Sequence, residues 1–67
     1  MNLHRLVAGL HVLMKYDPTG QDEIQLGHDE LYLGGPPPED MAAEDVVKLT
    51  ALSFRYNTHE ECWSVFT

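Results

Sequence analysis

Five consecutive residues at the middle of this 67-residue chain, Gly34-Gly35-Pro36-Pro37-Pro38, are admitted neither by a helix interior nor by a central strand. The prolines fix φ and remove backbone donors, so the stretch is expected to form a stiff, extended connector. Regular structure is left to the residues on either side.

Before the connector, Leu3, Leu6, Val7, Leu10, Leu13 and Met14 recur at three- and four-residue steps, the spacing of one helical face. Asn2 is the natural N-cap, and the helix is expected from about Leu3 to Tyr16, stopping at the turn sequence Asp17-Pro18-Thr19-Gly20. Lys15 near its end complements the negative pole of the helix dipole. Gly9 costs about 1 kcal/mol against Ala in mid-helix, which marks it as a point of close contact with the sheet. Ile24 and Leu26 alternate with Gln25 and Gly27, the period of a half-buried strand. His28-Asp29 makes a turn, and Leu31-Tyr32-Leu33 returns.

After the connector, a second helix is expected from Met41–Ala42 to Leu52, with Met41, Val46, Leu49 and Leu52 inward. Phe54-Arg55-Tyr56 and Cys62-Trp63-Ser64-Val65-Phe66 read as a second hairpin closing over Asn57 to Glu61. The expectation is one α+β domain over residues 1–67, in the order α-β-β-α-β-β, with an antiparallel sheet and both helices on one face. The sequence supports no internal repeat. A chain this short buries about 60% of its unfolded surface, so self-association is one way to add stability, and a monomer or weak homodimer is expected.

Charge narrows the function. Between Asp17 and Val47 lie nine acids (Asp17, Asp22, Glu23, Asp29, Glu30, Glu39, Asp40, Glu44 and Asp45) and no Lys or Arg, in a chain of net charge −7. All four bases, Arg5, Lys15, Lys48 and Arg55, fall outside this run. The acids come as adjacent pairs, with Glu60-Glu61 beyond the run, and no base is placed to neutralise them. Such a chain favours basic partners and is ill suited to direct binding of nucleic acid, which needs Lys and Arg against phosphates. One reading is a solubilising surface. The sharper one has the carboxylates standing in for phosphates on a protein that grips DNA or RNA, with pairs at the two ends of a strand about 15–20 Å apart. The residues expected to meet the partner are Asp22, Glu23, Asp29, Glu30, Glu39, Asp40, Glu44 and Asp45, with Tyr32 as a packing anchor.

Other chemistries have weaker support. Gly34-Gly35 is followed by prolines, which lack the N–H groups of an anion cradle. Cys62 is the only cysteine, so no internal disulfide forms and a reducing compartment fits. It sits in an apolar strand, where a small packed side chain is the ordinary reading, and pairing with His28 or His59 as a nucleophile is not favoured. His28-Asp29-Glu30 and His59-Glu60-Glu61 read as solvated turns, without the three or four convergent ligands of a metal site. No catalytic residue, metal or cofactor is therefore expected. No stretch of about 18 apolar residues exists for a membrane span, and the opening residues read as a helix of the fold, not a signal peptide.

Four stretches taken together carry a resemblance. They are Leu13-Met14-Lys15-Tyr16, then Gly27-His28-Asp29-Glu30-Leu31-Tyr32, then Met41-Ala42-Ala43-Glu44-Asp45-Val46 leading to Leu49 and Leu52, and the closing Cys62-Trp63-Ser64-Val65-Phe66. In this order the chain resembles small proteins of phages and bacterial mobile elements, among them anti-CRISPR proteins that inhibit the type I-C system. Ala42 stands where such helices usually have a Ser cap, and Ser53 where Gly usually ends the helix. The group has no agreed catalytic motif, so no active-site residue is carried over. The resemblance implies a non-enzymatic inhibitor acting in the cytoplasm of the host bacterial cell. With the charge pattern, the expected function is an acidic nucleic-acid mimic that covers the basic nucleic-acid-binding surface of a type I-C CRISPR surveillance complex and blocks target DNA. The alternative is a small acidic adaptor or toxin-partner module with a different basic target.

Overall fold

Asn2 opens the first helix as expected. Its side chain accepts the Arg5 N–H at 2.8 Å, and α1 spans Leu3–Met14. The computed structural model describes residues Met1–Thr67, and in it α1 is followed by β1 (Ile24–Leu26), β2 (Glu30–Leu33), a 3-10 turn (Pro38–Asp40), α2 (Ala43–Ala51), β3 (Arg55–Asn57) and β4 (Cys62–Phe66). The four strands form one antiparallel sheet in the order β1-β2-β4-β3, so the two hairpins meet through β2 and β4. The architecture is α+β. Val12 and Leu13 of α1, Leu49 of α2, and Leu33, Trp63 and Val65 of the sheet share a single core with Met41 and Phe54, so both helices cover the same face. No helix is long and apolar enough to cross a membrane.

The expected face of α1 is rotated. Leu6, Leu10 and Leu13 point inward with Gly9 and Val12, whereas Leu3, Val7 and Met14 are exposed. Gly9 explains the rotation: a Cβ there would lie 2.2 Å from two atoms of the Phe54 ring, so the helix closes on the bare backbone of this one residue. The close approach expected of Gly9 is made to Phe54, which sits just before β3 and not within it. Full burial of Phe54, Leu49 and Val65 contributes about 1.5–3 kcal/mol each.

Helix α2 is shorter than expected because the connector folds at its end. Pro38 leads the 3-10 turn, and Met41 and Ala42 remain extended before the helix. Ala42 supplies no side-chain cap, but its N–H donates to the Tyr16 hydroxyl at 3.1 Å, so a residue at the end of α1 caps α2. At the other end the Ser53 N–H donates to the Thr50 carbonyl at 3.0 Å and the Phe54 N–H to the Leu49 carbonyl at 2.9 Å. This is the glycine-favouring Schellman closure, with Leu49 and Phe54 as its apolar pair and Ser53 held at φ 70°. A side chain in this left-handed region costs about 1–2 kcal/mol. Ser53→Gly is accordingly expected to stabilise the fold by about 1 kcal/mol, and Ala42→Ser by a similar amount, read as two additive shifts in a urea midpoint.

The face without helices is covered by its own side chains. Glu30 pairs with Arg55 at 2.8 Å and accepts from the Tyr32 hydroxyl at 2.9 Å, while the Arg55 guanidinium lies 4.0 Å from the Phe66 ring centre. Ser64 is fully buried beneath them, next to the Glu30 carboxylate. Strand alternation also puts Cys62 on this face, half-buried, and not in the core beside Trp63 and Val65. Tyr56 points the other way and packs edge-on against Trp63, with ring centres 5.5 Å apart.

Candidate acidic interaction surface

Strand register decides which acids meet. Ile24 pairs with Leu33, Leu33 with Trp63, and Asn57 with Cys62. Residues just before β1, just after β2, just after β3 and just before β4 therefore emerge at the same end of the sheet. Asp22 and Glu23 precede β1, and Glu60 and Glu61 precede β4. From β2 the strap Gly34–Pro37 leads to Glu39 and Asp40, pinned where the Trp63 indole N–H donates to the Pro36 carbonyl at 2.9 Å. Six exposed carboxylates thus gather at one end: Asp22, Glu23, Glu39, Asp40, Glu60 and Glu61. Glu44, expected to face a partner with them, is exposed in the first turn of α2, where its charge acts on Lys15.

Local contacts fix this arrangement. The Asp17 carboxylate accepts the Gln21 and Asp22 N–H groups at 2.7 and 3.0 Å, which orders the segment entering β1. The Asp22 side chain lies over Gly34, where a Cβ would come within 2.7 Å of its carboxyl carbon. Glu23 and Glu60 face each other across a cleft of about 410 Å³ floored by Gln25, Tyr32 and Cys62. Glu39 and Glu61 flank a second, of about 540 Å³, with Pro37, Pro38, Tyr56 and Thr58. Three weaker acids respond to the field. Burial pushes the Tyr56 hydroxyl above its usual value, and Glu61, Glu39 and Asp40 push it further. The Tyr32 hydroxyl is raised mainly by its hydrogen bond to Glu30, with Glu60 adding to it. The Cys62 thiol is raised by burial, then by Glu60 and Glu30, which works against the thiolate a nucleophile needs.

Two residues expected to face a partner serve the fold instead, which corrects the expectation that no base neutralises the acids. The Asp45 side chain is 8% exposed, held by Lys15 at 2.8 Å and by the Tyr16 hydroxyl, so it ties the end of α1 to the start of α2. Glu30 is the acid paired with Arg55, 13% exposed. Asp29 is exposed but lies at the opposite end of the sheet, on the β1–β2 turn, where its carbonyl accepts from Thr67. The separation expected between pairs also shrinks, because strands of three to five residues span about 10–17 Å. Tyr32 stays on the open face, half-buried and beside Glu60 across the cleft. Glu60 and Glu61 were the missed members of the surface. They stand outside the long acidic run, and only the pairing of β3 with β4 brings them beside it.

The Asp45 latch has a pH signature. Hydrogen bonds from Lys15 and then Tyr16 hold its carboxyl below the ordinary 3.8, against the upward push of burial. For Glu30, burial acts upward, but the Tyr32 hydroxyl and Arg55 outweigh it and hold the carboxyl below 4.5. A group depressed in the folded state contributes stability above its unfolded value and loses it as pH falls through the folded one. Asp45→Asn is expected to lower the melting temperature at pH 7, and the gap to the native chain should close as pH drops below 3.8. Thermal melts from pH 7 to pH 2 check it; a constant gap would mean that the carboxylate charge does not matter.

Of the four bases, Lys15 and Arg55 are held in ion pairs with Asp45 and Glu30, and Arg5 donates to the Ala51 carbonyl at 3.0 Å, at the end of α2 remote from Glu44. Lys48 is exposed on α2, where its charge acts on Asp45. None of the four makes an ion pair with the six gathered carboxylates, and the acidic end is concave. Compared with known proteins, the chain matches no protein-family model, no curated protein and no solved structure.

Proposed function

We propose that the chain is a non-enzymatic inhibitor that presents its acidic end as a substitute for nucleic-acid phosphates. The observation that carries this is the convergence of Asp22, Glu23, Glu39, Asp40, Glu60 and Glu61 from three separate parts of the chain onto one sheet end, none of them in an ion pair. Mutual repulsion there works against a small fold, and a basic partner relieves it on binding. Four of the six carboxylates, Glu23, Glu39, Glu60 and Glu61, line two clefts on a body of 28 × 24 × 21 Å, a scale on which a groove lined with Lys and Arg can engage several at once. Together with the resemblance to type I-C anti-CRISPR proteins, this supports a bacterial CRISPR surveillance complex as the target, bound in the host cytoplasm on the surface that otherwise takes DNA.

The test is capture from bacterial lysate containing a type I-C complex, with and without excess duplex DNA. Recovery of the complex that DNA or moderate salt displaces is the expected result, since charge-steered binding is salt-sensitive. Recovery that ignores DNA would favour the adaptor reading, with a basic target of another kind.

A further inference from the structure

The sheet ends at β1, and no element covers the outer edge of that strand. The Gly27 N–H donates to the Glu30 carbonyl at 2.7 Å, and antiparallel alternation from that bond turns the backbone of Gln25 toward β2. The N–H and C=O groups of Ile24 and Leu26 therefore point outward. Their side chains are 57% and 78% exposed, on the face that carries the helices. Leu10 and Met14 meet Ile24 along a cleft of about 160 Å³, and Val7 and Leu3 extend the apolar strip along α1. Natural edge strands are usually protected by shortness, lysine, proline, a bulge or an inward charge; β1 is short, at three residues, and has none of the others.

We propose that β1 pairs antiparallel with β1 of a second copy, about a two-fold axis at Gln25, to join two four-stranded sheets into one. Ile24 then faces the partner's Leu26, and the outward groups of both residues form four backbone hydrogen bonds. Charge selects this register. It sets Asp22 opposite the partner's His28 and Glu23 opposite the partner's Gly27, so that no acid faces an acid across the seam. An axis at Leu26 would oppose Glu23 to the partner's Asp29, and an axis at Ile24 would set Asp22 against the partner's Leu26. Antiparallel pairing also sends the two acidic ends in opposite directions, which lets two chains of charge −7 approach. The apolar strip is at the small end of specific interfaces, so the dimer is weak and tightens as salt screens the residual repulsion. This inference is independent of the inhibitor reading, whose complex loosens with salt.

Sedimentation equilibrium and residue-resolved amide exchange, followed over an about fiftyfold rise in concentration at moderate salt, test it. The mass is expected to climb from 7.6 kDa toward twice that value. Over the same range the Ile24 and Leu26 amides should slow several-fold, while those of Gln25 and Gly27 stay unchanged. Leu26→Lys, and Ile24→Lys as a second variant, should remain folded and monomeric, since both side chains are largely exposed. A constant mass would overturn the proposal. So would a doubling that leaves the Ile24 and Leu26 amides unprotected, or folded lysine variants that still dimerise.

Discussion

Reversing Glu60 and Glu61 to lysine is expected to weaken binding to the proposed basic partner about 100-fold, with no loss of fold. Both residues are exposed in the loop between β3 and β4, and neither side chain makes a hydrogen bond or ion pair. The expectation rests on place as well as charge. Glu60 sits across a cleft from Glu23, and Glu61 across another from Glu39, so a reversal there puts lysine in the middle of the acidic end. A charge-matched pair of variants separates place from total charge. Glu60→Gln with Glu61→Gln raises net charge by two, and so does Asp29→Lys at the far end. The first should cost about tenfold in affinity and the second less than about twofold. Equal losses would mean that only net charge matters, and the polarised surface would have no special part in binding.

Gly9→Ala is expected to destabilise the fold by about 2 kcal/mol, although alanine is the better helix former. The propensity gain is about 1 kcal/mol, whereas forcing a methyl into a packed core costs about 1–3 kcal/mol or more. The upper end applies because the new Cβ would meet Phe54 Cε1 and Cζ at 2.2 Å, and Phe54 has little freedom to retreat. Its side chain is buried, and its N–H is locked to Leu49 at the end of α2. For a domain of this size the loss corresponds to a fall of about 8–16 °C in melting temperature. Phe54→Leu should remove the clashing ring atoms, so the double variant is expected to be more stable than the sum of the two single changes. Additive losses would show that Gly9 is not required by the ring.

Local patterns in the sequence carried most of the fold. Asn2 capped α1, and alternation around Gln25 and Ser64 placed the hairpins, while α1 ends at Met14, two residues short of the expected Tyr16, with Lys15 as its cap. The rotation of α1 was not legible, because Leu3, Val7 and Met14 satisfy the same periodicity as the buried residues. Only the meeting of Gly9 with Phe54, 45 positions later, selects the face. The acidic surface was legible in part for a related reason. A run of acids states how much charge there is, but Asp45 and Glu30 find Lys15 and Arg55 through contacts between elements distant in sequence. Glu60 and Glu61 join the surface through strand pairing, which residue spacing does not encode. One local sign did exist. Asp45 is the third residue of α2, where a carboxylate can accept from the N–H of the cap residue; here the Ala42 N–H donates to the Tyr16 hydroxyl, and the Asp45 carboxylate accepts from Lys15 and Tyr16.

The most direct test uses purified type I-C surveillance complex with labelled target duplex, titrated with the native chain and with the Glu60→Lys, Glu61→Lys variant. Mutually exclusive occupancy predicts that the native chain releases the duplex in proportion to its own binding, and that the variant needs about 100-fold more. A duplex that stays bound while the native chain saturates the complex, or one displaced equally by both proteins, would contradict phosphate mimicry by the acidic end.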